Sequence, residues 1–151
     1  MADPAAVGTE GAPFRLDVER GKIREFARAT GTADLTGIDA QDAPVSQPTF
    51  LTTALHWQTG DANPWPAVKL DQQRGLHAEQ EFTFFGAPPR AGTRLEGRAR
   101  ISDIYTKQGR RGGEMTFAVM VTDYYDESGR LVAQAKMTGV ETARPPKEDE
   151  A

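Results

Sequence analysis

Residues 46–60 read SQPTFLTTALHWQTG. Pro48 suits a first helical turn and Gly60 suits a helix exit. No charged side chain lies between them. A helix without a charged face is ordinarily buried on most sides. The stretch therefore predicts a helix over 48–58 that the rest of the chain must enclose.

What encloses it follows downstream. From residue 76 the apolar period becomes two, and LHAEQEFTFF, TRLEGRARISDIYT, GEMTFAVMVTDYYD and GRLVAQAKMTGVET read as four strands. In the second, Leu95, Gly97, Ala99 and Ile101 share one face, and Arg94, Glu96, Arg98 and Arg100 share the other. Such alternation belongs to an antiparallel sheet with one wet face. Met115, Phe117, Val119 and Val121 share a face, as do Leu131, Ala133, Ala135 and Met137. The loops QGRRGG and DESG read as hairpins. Small residues at 97, 99, 133 and 135 leave room for a helix against the sheet. The arginine-rich row reads as solvated surface or as the edge of a subunit contact.

Upstream, Phe14–Val18 alternates as a short strand. In ERGKIREFARATG, Ile23, Phe26, Ala27 and Thr30 recur at helical spacing, and Gly31 is placed to end the helix. Residues 32–46 are irregular and acidic, and 59–75 read as a loop. The Gly/Pro/Ala-rich residues 1–12 are expected to be flexible, and the tail 144–151, RPPKEDEA, to be disordered. One folded unit over 13–143 remains. The expected class is α+β: a single antiparallel sheet wrapped around a central helix.

Composition narrows the function. The chain has 151 residues, no cysteine, two histidines and a formal net charge of -4. The absence of cysteine excludes disulfides and thiolate metal sites, and two histidines cannot make a His-rich one. No metal site is expected. An acidic chain is a poor general binder of nucleic acid. No apolar run reaches the ~18 residues of a membrane span, and no secretory signal is visible at the N-terminus. The expectation is a soluble, cytoplasmic protein without membrane or nucleic-acid partners.

Four segments carry a resemblance. VERGKIREFA (18–27), APVSQPTF (43–50), GLHAEQEFTFFGAPPRAGTRL (75–95) and YYDESGRLVAQ (124–134) resemble, in order and spacing, the MaoC-like dehydratases in their N-terminal, FAS1-like dehydratase type. Within that type the chain looks most similar to the non-catalytic subunits of mycobacterial (3R)-hydroxyacyl-carrier-protein dehydratase. The resemblance implies the hot-dog fold, a hydro-lyase reaction on acyl thioesters of coenzyme A or acyl-carrier protein, and no further cofactor. It also implies an Asp-x-Asn-Pro-x-His motif between the first helix and the central one. Here that place holds ATGTADLTGIDAQDAP (29–44), with Asp34, Asp39 and Asp42 but no histidine.

A similar string, TGDANPWP at 59–66, lies after the central helix and ends in Trp65 and Pro66 rather than histidine. Its position and ending favour a turn, with Asp61 or Asn63 bonded to nearby backbone. No catalytic residue is therefore assigned at the family position. His77, with Asp61, is the alternative pair: an imidazole at a strand start can exchange a proton near neutral pH. The plainer reading has His77 bonded to a loop. His56 reads as a core histidine.

Thr49, Phe50, His77, Gln80, Lys107, Arg110 and Arg111 are the substrate-binding candidates. The amides at Thr49 and Phe50 begin a helix, and the three basic residues flank a hairpin where thioester-arm phosphates could bind. The resemblance implies the channel-forming, non-catalytic half of a heterodimer whose other subunit is a catalytic MaoC-like chain. A self-sufficient homodimeric hydratase or thioesterase using His77, or a non-enzymatic acyl-thioester-binding module, remains open.

Overall fold

A computed structural model of the chain describes residues 2–109 and 113–143. Five strands form one sheet: β1 (Phe14–Asp17), β2 (Gly75–Phe84), β3 (Arg94–Gln108), β4 (Glu114–Tyr125) and β5 (Leu131–Glu141). Their order is β1-β3-β4-β5-β2, and every pairing is antiparallel. The β4–β5 hairpin turns through Gly129, whose φ of 81° favours glycine. Helix α1 (Arg20–Ala29) buries Ile23 and Ala27, and a short α2 (Thr36–Asp39) interrupts the irregular acidic stretch.

The register fixes which side chains share a face. Gly97 opposes Tyr124, which opposes Ala133; Ala99 opposes Thr122, which opposes Ala135. Opposed residues point the same way, so these form the core face together with Ile101, Ala118, Met120, Met137 and Gly139. Gly97 and Gly139 are required there. A Cβ on Gly97 would lie 2.3 Å from the Phe14 ring, and one on Gly139 would lie 2.7 Å from Trp65. A strand glycine commonly marks such a close approach.

Two separate covers lie on this face. The first is α1 and a 3₁₀ helix, Phe50–His56, which share a cluster with Phe14, Leu16, Leu95, Tyr124, Ala133 and Ala135. The Phe26 and Phe50 rings meet edge to face at 5.7 Å. The second cover is the N-terminal segment with residues 65–70, where Ala2, Ala6 and Val68 pack on Ile101 and Ala118.

Four expectations change. The segment 1–12 is not a free lead-in over its described residues. Ala2 and Ala6 are buried, and the Gly8 and Gly11 amides donate to Ile101 and Ala99 carbonyls at 2.9 Å. Small residues suit this because they fill the shallow space beside Val68 without a bulky apolar signal. The central helix is a seven-residue 3₁₀ helix rather than a longer α-helix over 48–58. Thr53 Oγ1 donates to the Phe50 carbonyl at 2.8 Å, a local bond that competes with α-helical pairing. That helix is buried on one side only: Phe50, Leu51 and Ala54 face inward, while Thr52, Leu55 and His56 are exposed. His56 is therefore a surface residue, not a core histidine. The tail 144–151 lies outside the described residues.

Among the described residues no helix is long and apolar enough to cross a membrane.

Phe50 carries the first cover. We expect Phe50→Ala to lower stability by about 3–5 kcal/mol in urea titration, with Leu55→Ala within about 0.5 kcal/mol of the parent.

Candidate functional site

At the open side of the core face, along β2, Trp65, Leu70, Gln72, Gly75, Leu76, His77, Met137 and Gly139 line a recess of about 300 Å³. Its floor is the end of β5 and its roof is the 65–72 loop. The roof is held from both ends. Asn63 Oδ1 accepts a bond from the Trp65 amide at 3.1 Å, so TGDANPWP is a turn closed by its asparagine. At the other end the Arg74 guanidinium bridges Asp71 and the buried Glu141, and the Asp71 amide donates to Glu141 at 3.2 Å. The Arg74 partner holds the Asp71 carboxyl below its ordinary pKa.

His77 opposes Gly139 in the β2–β5 register, immediately before a bulge. It is exposed, and among the described residues no hydrogen bond orients it. Gln80 opposes Met137 and so lies on the same face beyond the bulge; its Nε2 donates to the Lys136 carbonyl at 3.1 Å. Asp61 does not join them. It is exposed on the 3₁₀ turn Gly60–Ala62, does not line the recess, and its backbone carbonyl accepts from the Ala12 amide.

The other candidates fall elsewhere. Phe50 is fully buried in the core, and its amide donates to the Gln47 carbonyl at 2.9 Å, so it offers a ligand neither ring nor amide. Thr49 is exposed beside it, without a capping bond. Lys107 lies across the sheet on its outer face, 5.0 Å from the Tyr105 ring and 5.5 Å from that of Phe117. Arg110 and Arg111 lie outside the described residues. The sequence reading missed Trp65, Leu70, Met137 and Gly139 as lining. The one signal that could have found them was Gly139, a glycine inside a strand.

Two of the carboxylates at 29–44, Asp34 and Asp39, have other partners. Asp34 accepts from the Thr36 hydroxyl and amide at the start of α2, and Asp39 pairs with Arg24 at 2.8 Å. The Thr36 hydroxyl bond lowers the Asp34 pKa, and the Arg24 bond lowers that of Asp39. A carboxylate held in its charged form this way is a weak base near neutral pH. Among the described residues no cluster of histidine and carboxylates could hold a metal ion.

The FAS1-like, dehydratase domain region matches residues 5–135, and the chain belongs to that family. A UPF0336 protein of Streptomyces griseus is 31% identical over 126 residues, covering 79% of this chain and 80% of its own. The fold is that of the hot-dog dehydratases. The HadBC (3R-hydroxyacyl-ACP dehydratase) complex of Mycobacterium tuberculosis matches with a TM-score of 0.65 at 24% identity, covering 89% of this chain and 96% of that one. The ChsH1–ChsH2 complex of the same organism matches with a TM-score of 0.70 at 15% identity, covering 96% and 89%.

Gly139→Ala tests the recess roof. The added methyl would displace the Trp65 ring, so we expect a loss of about 1–3 kcal/mol and a red shift of tryptophan emission. An unchanged spectrum and stability would show that Trp65 does not rest on Gly139.

Proposed function

We propose that this chain is the non-catalytic, channel-forming half of an enoyl-thioester hydratase, the reverse reaction being dehydration of a (3R)-hydroxyacyl thioester. The observation that carries the reading is the recess on β2. Among the described residues its lining holds one imidazole without a hydrogen bond and no carboxylate, and it opens along the edge strand β2. Water addition to an enoyl thioester needs a base to take a proton from water as its oxygen bonds to the β-carbon. It also needs a proton delivered to the α-carbon, and donors for the charge on the thioester oxygen. On this reading a MaoC-like partner supplies the aspartate and histidine. This chain supplies one channel wall: Trp65, Leu70 and Met137 against the acyl chain, His77 and Gln80 as polar groups beside it.

Support comes from the family and from two structural neighbours that are themselves complexes, HadBC and ChsH1–ChsH2. The substrate would arrive on coenzyme A or on the phosphopantetheine of a carrier protein, with no further cofactor. Thr49 and Lys107, with Arg110 and Arg111, are the remaining candidates for contact with that arm. The cytoplasm is the compartment this reading assigns.

A second reading, a homodimer using His77, is favoured by one observation: His77 lines the recess and has no hydrogen-bond partner among the described residues. Kinetics separate the two. The purified chain alone should show no measurable hydration of crotonyl- or longer enoyl-thioesters, and its complex with an Asp/His-bearing partner should. Within that complex His77→Ala should cost less than about tenfold, because loss of a general acid–base group costs ~10²–10⁴; Asp61→Asn should cost nothing. Turnover by the chain alone, abolished by His77→Ala with folding intact, would establish the homodimeric reading instead.

A further inference from the structure

β2 is a sheet edge ten residues long, paired among the described residues only with β5. The opposite edge, β1, has four residues. A long exposed edge invites another strand, and its side chains indicate which kind. On the outer face, β2 presents Leu76, then Glu79 and Glu81, then Thr83: Leu76 opposes Val140, Glu79 opposes Thr138 and Glu81 opposes Lys136. Leu76 and the adjoining Phe85 are each 50% exposed. Glu79 and Glu81 are both exposed. Glu81 reaches Lys136 at 3.4 Å on its inner side, and Glu79 has no ion pair among the described residues. The edge is thus acidic at its centre and apolar at its ends.

A second copy fits this edge poorly. Two-fold antiparallel pairing centred on Glu79, Gln80 or Glu81 sets glutamate against glutamate: Glu79 on its own mate, Glu79 on Glu81, or Glu81 on its own mate. Like charges directly opposite are unfavourable, and opposite charges are favourable. We infer that the strand completing this sheet belongs to a different chain and carries lysine or arginine on its outer face opposite Glu79 and Glu81. The inference rests on the heterodimer reading and adds to it the chemistry by which the partner is chosen. The acidic pair acts against self-pairing and for a basic edge, the two halves of specificity.

Sedimentation velocity on the full chain tests this, with circular dichroism as the folding control. Three samples are compared at low and high salt: the parent, Glu79→Gln/Glu81→Gln, and the parent mixed with Glu79→Lys/Glu81→Lys. Self-association of the parent should be at least about tenfold weaker than that of the glutamine variant. It should also be weaker than association in the mixture, and salt should narrow both gaps. Should the lysine variant misfold, the glutamine comparison still decides. A parent that dimerises as tightly as the glutamine variant at low salt would overturn the inference. The assay for the heterodimer itself is separate. If the glutamine variant binds a catalytic MaoC-like subunit as tightly as the parent and the complex hydrates enoyl thioesters, the edge inference fails while the proposed function stands. If no such complex forms or turns over, the proposed function fails.

Discussion

Where aromatic rings seat on the sheet, the core face carries glycine or alanine, and what lies on it depends on that. Gly97 leaves the space that the Phe14 ring fills, and Gly139 leaves the space for Trp65. Ala133 and Ala135 share the cluster of Phe50, Leu51 and Ala54. Aromatic rings can then approach the backbone directly, and contact at that range is where dispersion and burial both count most. Larger residues at these positions would lift both covers off the sheet. The recess beside His77 would go too, because its roof is Trp65 resting on Gly139.

The same economy explains why the chain looks half-finished. The covers reach β1, β3, β4 and β5, but most of β2 stays exposed, from Leu76 through Glu81. Phe82 and Phe84 return to the core at the strand's far end. The polar candidates His77 and Gln80 lie on the stretch that the described residues leave exposed. On the proposed reading, a channel wall at this open edge is a site shared with the strand that pairs there.

β4 is buried on both faces and most of β2 is exposed on both, but β3 was legible because a half-buried antiparallel strand writes its burial into alternate residues. Leu95, Gly97, Ala99 and Ile101 did so without ambiguity. The absent histidine in 29–44 was equally legible, and the structure adds that Asp34 and Asp39 are bonded to Thr36 and Arg24. The central helix was less so. Missing charge reads as burial on most sides, yet the exposed side carries Thr52, Leu55 and His56, which are uncharged without being core. Phe50 reads as a ligand contact because it starts that helix; its 0% exposure reflects Phe26 and the sheet, contacts distant in sequence. The N-terminal segment was hidden for a related reason. Ala2 and Ala6 pack in a shallow gap that only the folded loop at 65–70 creates, and small residues look alike in a flexible lead and a tight fit.

The central claim is that a partner strand along β2 completes the site. Amide hydrogen exchange across residues 75–84, with and without a catalytic MaoC-like subunit, tests it most directly. Amides of an unpaired edge exchange quickly, and those in a ladder are protected. The account predicts strong new protection in β2 on complex formation, with little change in β1 and β3. Binding that protects the outer face around Tyr105 and Phe117, or α1, and leaves β2 exchanging as in the free chain, would contradict it.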